Sequence, residues 1–403
     1  MKPFGTIPRW WDAPRMVRAL DASDGATPCF VYDLDIVRDK VAMLRAALPY
    51  GVGIHYAVKA NPHPVMVSAI AAMIDGLDIA SGGELVLVGK AAPGKHVSFA
   101  GPGKRDDEIE AAIRAGVTLN LESEGEANRA LTIAERLGTT PRLAVRVNPD
   151  FSLKGSGMKM GGGAAAFGVD AERAAPLVRR LIDAGADWRG FHIFAGSQAL
   201  DSEAIAATQA ATVELAGRLA TEADATPPLV NLGGGFGIPY FANDATVDVA
   251  FVGARLGEVL ATRADSLKDS RFVIELGRWL AGECGVYLTR VIDRKDSRGE
   301  TFLVTDGGLH HQLAASGNFG TVVRRNYPVA VATRFDAPPI EIVNIVGCLC
   351  TPLDKLGDAV SMPRADVGDV IAVFMAGAYG ASASPTAFLG HGPAQERVLN
   401  IAG

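Results

Sequence analysis

Cysteine is scarce in this chain: Cys29, Cys284, Cys348 and Cys350 are the only four among 403 residues. So few in so long a chain cannot form a disulfide framework, and the usage fits a reducing compartment. The tightest spacing, Cys348-Leu349-Cys350, is too close for a usual zinc knuckle. Long apolar runs are also lacking. None reaches the roughly 18 residues of a membrane span, so no membrane partner is expected. Met1-Lys2-Pro3-Phe4-Gly5 has no charged start before an apolar core, so no signal peptide is expected and the chain reads as cytoplasmic. Positive charge is in deficit. The formal net charge is −6 and no basic block with interleaved aromatics occurs, so nucleic acid is not an expected partner. There is no Ser/Pro-rich linker and no sequence repeat.

What is present is apolar mass, 48% of residues, enough for a large core. Residues 1–28, with Pro3, Pro8, Pro14 and Trp10-Trp11, read as an irregular arm. A strand over 28–34 and an amphipathic helix to about Leu48 follow. Strand-like runs then recur at 54–58, 76–80, 97–100, 118–121, 143–147, 191–194, 229–232 and 272–275. Helical patterns lie between most of them, for example over 64–74, 106–115, 125–137, 171–184 and 204–220. Eight strands alternating with helices predict an α/β fold, a closed (β/α)8 TIM-type barrel over residues 35–280. From about 285 the pattern turns to β-like runs at 286–291, 301–305, 339–347, 370–374 and 398–401. These predict a mainly antiparallel β domain over 281–403, completed by residues 1–34.

A barrel places its chemistry at the C-terminal ends of its strands. Lys59 ends the first, in His55-Tyr56-Ala57-Val58-Lys59-Ala60-Asn61-Pro62. An ammonium there, with no acidic neighbour in sequence, invites nucleophilic use, although a plain surface lysine is the blander reading. Phe194, Gly196 and Ser197 lie at or past the end of the sixth. Gly233-Gly234-Gly235-Phe236-Gly237 follows the seventh and suits a phosphate, because bare backbone amides can close on its oxygens. Glu275 and Arg278 end the eighth; a mutual salt bridge is their blander reading. A lysine, a phosphate site and a carboxylate around one mouth point to pyridoxal 5'-phosphate as cofactor.

Other motifs carry less. Gly89-Lys90-Ala91-Ala92-Pro93-Gly94-Lys95 has P-loop spacing, but His96 stands where Ser or Thr should hold magnesium, and a strand follows instead of a helix. Residues 233–237 lead into no clear long helix, which argues against a dinucleotide fingerprint. The glycine-rich run 154–163 is a loop or a lid over the substrate. His310-His311, read as strand neighbours, point opposite ways, so no metal is expected.

Six stretches in order carry a family likeness: 55–61, Gly196-Ser197-Gln198, 233–237, Glu275-Leu276-Gly277-Arg278, Cys350 to Asp354, and Gly377-Ala378-Tyr379-Gly380. The chain resembles the fold-type III pyridoxal-phosphate decarboxylases, the diaminopimelate and ornithine decarboxylase group. Asp306-Gly307-Gly308-Leu309-His310-His311 through Gly320 and Arg324-Arg325-Asn326-Tyr327-Pro328 look closer to its biosynthetic branch, which acts on carrier-protein-bound glutamyl groups or is associated with exosortase clusters. The resemblance implies that Lys59 carries the cofactor as a Schiff base. Ser197, Gly234, Gly235, Glu275, Gly277, Arg278 and Tyr379 would hold phosphate or ring. Cys350 would come from the second subunit of a head-to-tail homodimer with shared active sites and return a proton. Arg278, Thr351, Asp354 and Tyr379 would line the substrate side.

Departures from the family pattern bear on the substrate. Phe194 stands where the family stacks a histidine on the ring, with His192 two residues earlier. Thr351 stands where diaminopimelate decarboxylases place an acidic residue for the distal amine. Leu313 and Gly317 occupy the positions of a usual arginine and tyrosine, and Arg324 or Arg325 could meet a substrate carboxylate instead. The expected function is α-decarboxylation of an amino acid or aminoacyl conjugate, free or tethered to a carrier protein. Diaminopimelate decarboxylation, racemisation or epimerisation on the same fold, and a non-enzymatic pyridoxal-phosphate-binding regulator stand as alternatives.

Overall fold

Short apolar strands separated by helices can bury both faces by closing on themselves, and here they do. The computed structural model describes residues 5–153, 155, 157–159, 161–317 and 325–401. Eight strands, Gly53–Ala57, Gly76–Ile79, His96–Phe99, Thr118–Leu121, Arg142–Asn148, Asp187–Ile193, Leu229–Gly234 and Arg271–Leu276, pair in parallel with their neighbours. The eighth pairs with the first, Ile274 opposite Ile54 and Leu276 opposite Tyr56, which closes the ring. The strands are near-continuously buried, as a sheet covered on both faces requires.

Helices return the chain between strands, and their ends follow from local chemistry. Ser123 caps Glu124–Leu137 by accepting the Glu126 N–H at 3.1 Å, and Gly138 ends it at φ 63°. Asp201 accepts from Glu203 and Ala204 at the start of Ser202–Ala223. Glu108 accepts the Arg105 N–H at 3.0 Å and reaches back to Gly82 N–H at 2.7 Å, which ties two successive helices together.

The chain divides into two compact units, one of Lys40–Gly237 and Thr246–Gly277, the other of Met1–Asp39, Ile238–Ala245 and Arg278–Gly403. The excursion Ile238–Ala245 belongs to the second unit, which no sequence signal indicates. That unit is a mostly antiparallel sheet around the 13-residue strand Gly285–Ser297. Its first half lies between Cys29–Asp33 and Val370–Val373, and its second half pairs with Glu300–Thr305. Gln395–Leu399 runs parallel to Cys29–Asp33, so both ends of the chain enter one sheet. Two strands the sequence did not indicate, Val329–Val331 and Lys355–Met362, complete it.

The arm over 1–28 is not irregular throughout. Ala13–Ser23 is a helix, with Asp12 accepting the Arg15 N–H at 2.8 Å and Pro14 in its first turn. Trp11 donates its indole N–H to the Glu283 carbonyl at 2.9 Å and packs on Phe374.

Lysine and arginine ion pairs are buried in the barrel. Lys104 donates to Glu126 at 2.7 Å and to the carbonyls of Gly101 and Asn120. Arg146 donates to Glu122 at 2.8 Å, and Glu122 also accepts the Gly101 and Gly168 amides. Removing one partner leaves the other charged and buried. Lys104→Met is expected to lower unfolding free energy by about 3–5 kcal/mol, read as a shifted urea midpoint at unchanged slope. A loss within that of an exposed control such as Arg105→Met would refute the buried-pair account.

Candidate active site

In the barrel unit, Lys59 sits in a short 3-10 turn, Val58–Ala60, that ends the first strand. Val58 and Ala60 are buried while Lys59 is exposed, so the turn anchors its flanks and presents the amine. The Tyr56 hydroxyl donates to the Asn61 carbonyl at 3.1 Å, and Asn61 Oδ1 accepts the His63 N–H at 3.0 Å, which fixes where the strand stops. The Lys59 charge acts on two carboxylates, Glu84 and Glu275.

Glu275 is buried on the eighth strand, and its Oε2 lies 3.0 Å from His192 Nε2 on the sixth. Burial pushes this carboxyl upward. The His192 hydrogen bond and charge, then Lys59 and Arg146, outweigh that and draw it below the ordinary carboxylate range. An ionised carboxylate only accepts, so Nε2 carries the proton. His192 Nδ1 has no hydrogen-bond partner among the described residues. Phe194 is half-buried, with its ring 6.5 Å from the His192 ring.

Three loops at the same end of the barrel are laced together. The Ala199 N–H donates to the Gly235 carbonyl at 2.9 Å and the Gly237 N–H to the Ala199 carbonyl at 2.8 Å. Gly196–Ser197 pairs antiparallel with Met158–Lys159. The run 154–163 therefore supplies a short strand as well as loop; the lid expectation at Lys154, Ser156 and Met160 lies outside the described residues. Glycine is required at two points. A Cβ on Gly234 would lie 1.8 Å from the Glu275 carbonyl oxygen, and one on Gly235, at φ 78°, 2.3 Å from the Gly196 carbonyl oxygen. The Gly233 amide is already committed to Asn231 Oδ1 at 2.9 Å. A cavity of about 450 Å³ opens at the opposite, N-terminal end, lined by Arg45, Gly53, His96 and Arg271 among others, remote from these residues.

In the sheet-rich unit, Arg278 Nη1 donates to the Tyr240 hydroxyl at 2.7 Å. The guanidinium lies 4.6 Å from the Tyr379 ring centroid and 5.5 Å from that of Tyr240. Its Nε has no partner among the described residues. Tyr379 sits at φ 56°, a costly conformation for an aromatic residue, and such outliers concentrate at functional sites. Tyr327 stacks on Tyr240 at 4.9 Å. Arg325 lies 3.7 Å over Phe241 and 3.9 Å from Asp244, so its charge has partners in the unit; Arg324 lies outside the described residues.

Cys350 is exposed on the turn after Glu341–Val346. Asp354 ends the same turn, and its carboxylate is engaged by the backbone. Its Oδ1 accepts the Leu309 N–H at 2.7 Å and its Oδ2 the Leu349 N–H at 2.8 Å. A Cβ on Gly308 or Gly347 would collide with that carboxylate. Asp354 thus holds the loop through both of its oxygens. Thr351 is half-buried beside Cys350.

The barrel thus gathers Lys59, Phe194, Ser197, Gly234, Gly235 and Glu275 at one end of its strands, and Gly277 follows directly, its absent side chain admitting Ala57 and Ala60. Arg278 and Tyr379 meet in the other unit. Sequence reasoning missed His192 as the partner of Glu275, and Tyr240 as the partner of Arg278. The one available signal was His192 at the end of an apolar strand; nothing marked Tyr240. These residues fit pyridoxal phosphate: a presented lysine, a carboxylate held ionised for the ring nitrogen and an apolar ring at Phe194.

Residues 34–282 match the family described as "Pyridoxal-dependent decarboxylase, pyridoxal binding domain". The chain is 34% identical over 383 residues to an L-glutamyl-[BtrI acyl-carrier protein] decarboxylase of Niallia circulans, covering 91% of this chain and 87% of that one. It is 33% identical to a diaminopimelate decarboxylase of Archaeoglobus fulgidus, covering 88% and 83%. The crystal structure of diaminopimelate decarboxylase from Helicobacter pylori complexed with L-lysine superposes with a TM-score of 0.82 at 26% identity, covering 94% of this chain and 92% of that one.

Proposed function

The chain belongs to the pyridoxal-dependent decarboxylase family, a carboxy-lyase with pyridoxal phosphate as cofactor, and from that premise we propose that it decarboxylates an aminoacyl conjugate whose distal group carries no ammonium. One observation carries this reading. Between Cys348 and Asp354 the only carboxylate is Asp354, and both of its oxygens are committed to backbone amides. With Thr351 next to Cys350, that loop offers a distal amine no carboxylate beyond the one already engaged at Asp354. A site left with an unpaired ammonium would reject such a substrate. A carrier-tethered glutamyl group, like that named for the Niallia circulans relative, has no distal amine.

When bound, pyridoxal phosphate supplies the electron sink that takes up the pair released as CO2 leaves. Lys59 holds it covalently. Glu275, kept ionised by His192 and Lys59, holds a proton on the ring nitrogen. Ser197 and the Gly234–Gly235 backbone receive the phosphate, and Phe194 offers an apolar face that excludes water. Arg278, steadied by Tyr240 and Tyr379, meets a substrate or cofactor anion. Cys350 or Lys59 returns a proton to the carbon that has lost its carboxylate. The exposure of Cys350 supports a role in trans, reaching the centre of a second copy in a homodimer with shared sites.

The test is CO2 release by cofactor-loaded protein on carrier-linked glutamyl substrate, acidic and basic free amino acids, and citryl conjugates. The expected kcat/KM for a conjugate exceeds that for free diaminopimelate by at least about 10²-fold. Turnover confined to free diaminopimelate or ornithine would overturn the reading.

A further inference from the structure

His310, Cys348 and His391 are separated in sequence, and the proposed chemistry uses none of them. The sequence expectation paired His310 with His311 on a strand. The two instead lie in a turn, with ring centroids 3.8 Å apart. His311 is fully employed: Nε2 donates to the Gly392 carbonyl at 3.0 Å, which leaves Nδ1 to accept from the Tyr287 hydroxyl at 3.0 Å. His310 is the reverse. It is 0% exposed, and neither ring nitrogen has a hydrogen-bond partner among the described residues. A buried imidazole left so costs about 1–3 kcal/mol unless something else occupies it.

What faces it is a ligand set. One donor atom from each of His310, Cys348 and His391 lies within 4.8 Å of the others. Cys348 Sγ is 3.8 Å from His391 Nδ1 and 4.0 Å from Nε2. Around a tetrahedral zinc ion, with Zn–S about 2.3 Å and Zn–N about 2.0–2.1 Å, donor atoms stand about 3.3–3.6 Å apart. Small side-chain rotations close the difference. We propose that His310, Cys348 and His391 bind a divalent transition-metal ion of the zinc class, with a fourth position open to water or a ligand.

The surroundings favour a cation. The carboxylates of Asp354 and Asp306 act on Cys348, a negative field that a metal ion would relieve. Binding releases the thiol proton as the thiolate forms. A thiol–imidazole hydrogen bond alone would account for Cys348 and His391, but not for the two vacant nitrogens of His310. The site would clamp the base of the Cys350 loop, two residues away, onto the 309–311 turn.

Chelator-treated holoenzyme, reloaded with pyridoxal phosphate, would be titrated with Co2+. One ion per chain is expected, with the strong red d–d absorption of a tetrahedral thiolate site. Cys348→Ser and His310→Asn should each weaken binding at least about 10-fold, while Cys350→Ser should not. Independently of any variant, saturating Zn2+ should slow iodoacetamide alkylation of Cys348, but not of Cys350, in the wild-type protein. Sub-stoichiometric uptake, binding unchanged in Cys348→Ser and His310→Asn, or Cys348 alkylation at the same rate with and without zinc would each overturn the proposal. Every readout is independent of turnover, so it fails or stands separately from the substrate reading.

Discussion

Lys59→Ala is expected to yield folded protein that releases CO2 at least about 10⁴-fold more slowly than wild type, the product of lost covalent anchoring and lost proton transfer. The fold should survive. Lys59 is exposed, and the turn is held by buried Val58 and Ala60 and by the Tyr56–Asn61 and Asn61–His63 hydrogen bonds, none of which uses its amine. Borohydride treatment of wild-type holoenzyme should fix the cofactor to the peptide containing Lys59; the alanine variant should give no such adduct. Lys59→Arg separates two roles. It keeps a cation near Glu275 but offers no nucleophilic amine, so it too should fail to form the adduct. An adduct that persists at another lysine in Lys59→Ala would sink the assignment.

The barrel was legible because each strand is a short apolar run set between helical patterns, and the eight predicted runs differ from the observed strands by only a few residues at their ends. The Ala13–Ser23 helix was not. Pro14 reads as a breaker beside Pro3 and Pro8, yet in the first helical turn its missing N–H costs nothing, and Asp12 supplies the cap. Lys355–Met362 was hidden for a different reason. Its pairing with Glu341–Val346 shifts register twice, with Ala359 at φ 51°, so no period-2 pattern survives. The placement of candidate residues was legible where they sit at strand ends in sequence order: Lys59, Ser197, Gly235 and Glu275. It was illegible where partners are set by tertiary distance. His192 and Glu275 are 83 residues apart, and His391 follows Cys348 by 43. The backbone partners of Asp354 were hidden for the same reason. A carboxylate that binds backbone amides leaves no mark in the identity of those residues, since every residue but proline has an N–H.

Glu275→Gln tests the electrostatic half of the site with almost no change of shape. The amide oxygen can still accept from His192 Nε2, so the 3.0 Å contact has a replacement, but the charge that would hold a proton on the ring nitrogen is gone. Such preorganised stabilisation is worth about 10²–10³-fold in kcat per interaction, and that loss is expected, with KM little altered. A second readout avoids activity. The Glu275 carboxyl is held below its ordinary range by His192, Lys59 and Arg146 against the effect of burial. A depressed folded pKa contributes stability above the unfolded value, about 4.3, and loses it as pH falls through the folded value. Wild-type protein should therefore lose stability on acidification below about pH 4.3 more steeply than Glu275→Gln, in which this group no longer titrates. Urea melts at neutral and acid pH measure both slopes. Identical slopes, together with a kcat within a few-fold of wild type, would mean that Glu275 is a structural partner of His192 and not the residue that keeps the cofactor ring charged.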